Sequence, residues 1–85
     1  MSTNIIQDIA ATYIESVTAS QNFKLSGNRS ELDLHTDLFK SADEKFEALI
    51  ATDRSQYDCE LRAIRYAITQ GSFNDAKARY LALSN

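Results

Sequence analysis

A small all-α bundle of four helices is the fold this sequence predicts, and three observations predict it. The 85 residues contain no proline and only two glycines, so little interrupts a helix. Apolar residues recur at spacings of three and four through most of the chain. Polar clusters with a helix start or stop signal divide that pattern into segments at about 4–19, 31–52, 56–70 and 73–83.

The first segment opens with Asn4 and Gln7, three residues apart, in the manner of a capping pair. Ile5, Ile9, Tyr13 and Val17 then follow at every fourth position, flanked by Ile6, Ala10 and Ile14. The stretch SQNFKLSGNRS, residues 20–30, reads as a loop or a short extended segment because Ser, Asn and Gly cluster there. Phe23 and Leu25 inside it are expected to plug the end of the core.

Ser30 offers an N-cap for the second helix, with Asp33 in the box position. At 100° per residue and Leu34 as zero, Leu32, Leu38, Phe39, Ala42, Phe46, Leu49 and Ile50 all fall within an arc of roughly 160°. Asp33, Asp37, Lys40, Asp43, Glu44 and Glu47 fall outside it. One unbroken helix through Asp37 explains that division. Ser55 with Asp58 starts the third helix and Gly71 stops it. Its main stripe is Tyr57, Leu61, Ile64 and Ile68. A smaller one, Cys59, Ala63, Tyr66 and Ala67, predicts that this helix is packed on two sides and is the most buried of the four. Ser72 with Asp75 starts the fourth helix, whose stripe is Phe73, Ala76, Tyr80 and Leu83. The short connection through Gly71 makes the last two helices an antiparallel hairpin.

Composition narrows the chemistry. A chain this short forms one helical domain, residues 1–85, with a modest core, so self-association into a homo-oligomer would supply burial that the domain lacks. No apolar run approaches the roughly 18 residues of a membrane span, so no membrane partner is expected. The N-terminal MSTNIIQDIA has neither the basic region nor the apolar core of a signal peptide, and a cytoplasmic location is the expectation. The one cysteine, Cys59, cannot close an internal disulfide and reads as a buried thiol. Net charge is −3, but residues 1–60 carry 11 acidic and five basic side chains while residues 61–85 carry one and four.

No catalytic residue, metal ligand set or cofactor site is expected. The only histidine, His35, lies within the apolar arc of the second helix and reads as a core or interface histidine. Zinc needs three or four suitable ligands, and no cysteine or second histidine accompanies it. Asp43, Glu44 and Glu47 read as a solvated helix face rather than an acid–base pair in a cleft. Neither glycine belongs to a phosphate-binding loop.

Two stretches share a pattern. FKSADEKFEAL at 39–49 and FNDAKARYLAL at 73–83 both fit Phe-x-x-Ala-x-x-x-aromatic-x-Ala-Leu, 34 residues apart. Residues 63–83 resemble the latter part of a tetratricopeptide repeat: Gly71 matches the turn glycine, Phe73 the aromatic after it, Ala76 the small residue of the second helix and Tyr80 the next aromatic. That resemblance implies a helical hairpin of the kind that stacks to bind peptides. The chain departs from the pattern at Glu60, where a large aromatic is usual, at Ile64, where a small residue is usual, and in having no closing proline. The upstream copy has Asp37 where the turn glycine belongs. Two helices burying similar stripes explain the spacing better.

What remains is binding. The expected function is that of a protein-binding adaptor, inhibitor or small regulatory subunit, its partner another protein. Arg62, Arg65, Tyr66, Lys77 and Arg79 are the candidate contact residues, with Tyr66 as the aromatic anchor. The alternative is a nucleic-acid binder using the basic C-terminal hairpin. The acidic balance of the chain counts against it, as do the pairs Asp58–Arg62 and Asp75–Arg79 at i,i+4.

Overall fold

The computed structural model describes residues 2–52 and 57–84. Four helices account for nearly all of them: α1 (Ser2–Ser26), α2 (Arg29–Thr52), α3 (Tyr57–Thr69) and α4 (Phe73–Ser84). They form an all-α bundle measuring 39 × 22 × 22 Å.

α1 runs seven residues further than its sequence pattern indicates and abolishes the expected loop at 20–26. The cause is tertiary. α4 docks on this stretch: the Lys77 ammonium donates to the Gln21 side chain at 3.0 Å, and Lys24 lies over the Phe73 ring. Tertiary contact thus overrides a weak local preference. Leu25 does not plug the core, because its side chain is 88% exposed. Phe23 is half-buried.

Gly27 ends α1 at φ +70°, with its N–H donating to the Phe23 carbonyl at 2.7 Å. Asn28, not Ser30, caps α2. Its side-chain oxygen accepts from the Ser30 N–H at 3.1 Å, two residues into the helix. α2 then continues without a break through Asp37 to Thr52, as its apolar arc predicts. The expected start signal at Ser55 with Asp58, and the placement of the Cys59 thiol, lie outside the described residues.

α3 and α4 are joined as expected. Gly71, at φ +77°, donates to the Ile68 carbonyl while Ser72 donates to that of Ala67, the two bonds of a Schellman turn. The Ser72 carbonyl then accepts from Ala76 and opens α4.

The core is Ile6, Ile9, Ala10, Tyr13 and Val17 of α1, Ala42 and Phe46 of α2, Leu61, Ile64, Ala67 and Ile68 of α3, and Ala76 of α4. Its centre is α1, which packs against all three other helices. α3 nonetheless buries Leu61, Ile64, Ala67 and Ile68, a larger share of its described side chains than α1 does. Its second stripe is only partly covered, since Tyr66 is exposed and Ala63 half-buried. The shared Phe-x-x-Ala pattern has a packing origin. Ala42 and Ala76 are both fully buried, where a larger side chain would hold α2 and α4 away from the core.

Candidate functional site

α2 and α3 face each other across a groove of about 390 Å³ lined by Asp43, Phe46, Glu47, Ile50, Arg62, Arg65 and Tyr66. Its architecture begins with one carboxylate. Asp43 lies only about 20° outside the apolar arc of α2, close enough to turn inward. It is half-buried, unlike the exposed Glu44 and Glu47, and so does not belong to the solvated face expected of all three.

Three groups converge on it. Arg65 Nε donates to Oδ1 at 2.8 Å and Nη2 to Oδ2 at 3.2 Å, a bidentate pair between α3 and α2. The Tyr13 hydroxyl of α1 donates to the same Oδ1 at 2.5 Å. One carboxylate therefore ties three helices together. The Arg65 guanidinium also lies 5.4 Å from the centre of the Phe39 ring, and Tyr13 meets Phe39 edge to face at the same distance.

The electrostatics follow from those contacts. Burial pushes the Asp43 carboxyl upward, but hydrogen bonds from Arg65 and Tyr13 and the positive charge of Arg65 outweigh it. The carboxyl is held below its ordinary range. Burial, and then the hydrogen bond to Asp43, push the Tyr13 phenol above its ordinary range. Arg65 is raised by its bond to Asp43. At neutral pH this is a fixed ion pair with a neutral phenol attached.

Around that clamp the groove has an apolar floor and an aromatic edge. Phe46 is buried, Ile50 half-buried, and the Arg62 guanidinium lies 5.6 Å from the Phe46 ring centre. Tyr66, 66% exposed, stands at the rim.

The structure brings together three of the five residues that the sequence marks for partner binding: Arg62, Arg65 and Tyr66. It takes Lys77 to the α1–α4 seam, where it bonds Gln21, and pairs Arg79 with Asp75 at 3.1 Å. The expected i,i+4 pair on α4 is thus present. Asp43, Phe46, Glu47 and Ile50 complete the groove from α2. Asp43's position at the edge of the apolar arc was the sequence signal for its part in this. His35 is half-buried, and its Nδ1 lies 2.7 Å from the Ser16 carbonyl. A carbonyl only accepts, so this nitrogen carries the proton and joins α2 to α1. Among the described residues no group of three His, Cys, Asp or Glu side chains could hold a metal ion. No described helix is long and apolar enough to cross a membrane.

Fold and groove together define a small four-helix protein with a preformed, mixed-charge groove between two helices. No family model matches the chain, and neither a curated protein nor a solved structure does.

Proposed function

We propose that this chain is a non-catalytic protein-binding module, an adaptor, inhibitor or regulatory subunit acting in the cytoplasm, whose protein partner seats on the α2–α3 groove. The observation that carries this reading is Tyr66: a largely exposed aromatic beside an apolar floor of Phe46 and Ile50. Tyrosine supplies a large contact area at little cost in side-chain entropy, which is why it recurs at binding hot spots. Arg65 adds preorganisation. Its guanidinium is already fixed by Asp43 and Phe39, so a partner carbonyl or carboxylate meets it without having to order it. Asp43 itself, ionised and saturated by Arg65 and Tyr13, is poorly suited to general acid–base work.

The nucleic-acid reading would require the hairpin's cations to act as one surface. Lys77 and Arg79 are instead engaged by Gln21 and Asp75, away from the groove. The test is a pull-down from the native host with the wild type and Tyr66→Ala side by side. Expected is a partner retained by the wild type and lost with Tyr66→Ala, with helicity by circular dichroism unchanged. Binding that collapses steeply with added salt would favour nucleic acid. An unfolded Tyr66→Ala would make Tyr66 a core residue and displace this groove as the site.

A further inference from the structure

The α1–α2 hairpin has two faces, and α3 and α4 cover only one. On the other, Glu15, Thr18, Ala19 and Asn22 of α1 and Glu31, Leu34 and Leu38 of α2 line a trough of about 340 Å³. Glu15, Thr18 and Asn22 lie roughly 140–200° round α1 from the core residue Tyr13. This surface is therefore separate from the α2–α3 groove.

Its floor is apolar: Ala19 is buried, Leu38 half-buried and Leu34 47% exposed. Leu34 belongs to the same stripe that supplies Ala42 and Phe46 to the core, yet it is left half exposed. Its rim is acidic. Glu15 and Glu31 are the only charges lining the trough, and neither has an ion-pair partner among the described residues. Nearby cations turn away. Arg29 and Lys40 lie roughly 120–180° round α2 from Glu31, Leu34 and Leu38, and Lys24 is over Phe73. Lys45 is on the trough's side of α2 but two turns past Leu38. The Ser16–His35 and Tyr13–Phe39 contacts set an antiparallel register that places it level with Ile6 and Gln7.

We propose that this trough docks a basic amphipathic helix of another protein. Two antiparallel helices form a straight channel into which a third can lay its apolar ridge. Apolar residues at i, i+3 and i+4 would sit on Ala19, Leu34 and Leu38, and flanking Lys or Arg side chains would reach Glu15 and Glu31. Charge decides against a second copy of this chain. Two-fold pairing through the trough would set Glu15 and Glu31 against their own images with no cation in the lining.

The probe is a synthetic helical peptide with leucines at i, i+3, i+4 and i+7 and lysines on both flanks. It is titrated into the isotope-labelled full chain at about 0.15 M salt. Saturable amide shifts are expected at Glu15, Thr18, Asn22, Glu31 and Leu34. Leu34→Ser, and separately the pair Glu15→Gln with Glu31→Gln, should each weaken binding about tenfold or more, while Tyr66→Ala leaves it unchanged. Because Leu34 is half exposed, its replacement should leave the fold intact, and circular dichroism confirms that in the same samples. The proposal is overturned by the absence of saturation at about 1 mM peptide or by equal binding of a scrambled or Lys→Glu peptide. Shifts mapping to the α2–α3 groove would also overturn it, as would a dimer in sedimentation that Leu34→Ser dissociates.

Discussion

Asp43 shows how one side chain can decide an assembly. It sits at the border of a helix stripe, so the same residue could have faced water. Arg65 and Tyr13 turn it inward and make it the tie among α1, α2 and α3. Asp43→Asn should therefore cost about 1–2 kcal/mol, less than a buried pair because solvent screens the exposed part of Arg65. Tyr13→Phe should cost a similar amount, since it deletes a bond to a charged acceptor at a buried site. Chemical denaturation of both variants checks these figures. The pH dependence has a fixed sign. Asp43's folded carboxyl is held below its ordinary value of about 3.9, so its stabilisation is complete above that pH. It is lost as pH falls through the depressed folded value. Wild type should lose stability more steeply than Asp43→Asn on acidification below about pH 4. Parallel curves would show that the carboxylate contributes no linkage. The Tyr13 phenol acts in the opposite range. Its raised folded value adds stability below about pH 10 that is lost as the phenol ionises above it.

The helices show how much of this was legible beforehand. α2 could be read almost completely, because an arc confined to one side of a 22-residue wheel admits few alternatives. α3 and α4 were marked by Gly71 and the Ser72–Asp75 start signal. The end of α1 was not legible. Ser20, Gln21 and Asn22 suit a loop by propensity, and what keeps them helical is α4, whose Lys77 and Phe73 come from roughly 50 residues further along the chain. The cap of α2 was misplaced by two residues because Asn28 and Ser30 both suit the role, and only geometry separates them. Of the groove, the α3 side was visible in Arg62, Arg65 and Tyr66, while the α2 side depended on which way Asp43 turned. At this scale Gly71 allows a sharp test. Its φ of +77° suits glycine, and a Cβ there would meet nothing within 4 Å. Gly71→Ala should thus cost about 1–2 kcal/mol from backbone strain alone, and Gly71→Asn less, since asparagine tolerates this region. Leu61→Ala and Ile64→Ala, both fully buried on α3, should each cost about 2–5 kcal/mol. Denaturant midpoints for the four variants order the turn against the core.

For the whole molecule the deciding fact is unequal helix length. α2 has 24 residues and α3 only 13, so α2 extends roughly 16 Å further at 1.5 Å per residue. The core gathers where α1, α2 and α3 overlap, around Tyr13, Phe46 and Ile64. The two ends at the α1–α2 turn are held differently. α1's last turns are pinned by α4 through Gln21 and Lys24, whereas the first turns of α2, residues 29–34, are almost entirely exposed and secured mainly by the Asn28 cap. Segments with few buried contacts open locally at a fraction of the global free energy. Amide exchange should accordingly be slowest around Ile9–Val17 and Leu61–Ala67 and fastest, within helices, at the start of α2. The end of α1 should be intermediate despite its polar sequence. Uniform protection along α2 would mean that its exposed end is stabilised by something other than packing. The same gradient bears on the trough, since Glu31 and Leu34 lie on the segment that opens first. A basic helix laid across it should raise protection at residues 29–34 more than anywhere else, because that part of the trough has the least packing of its own to hold it closed.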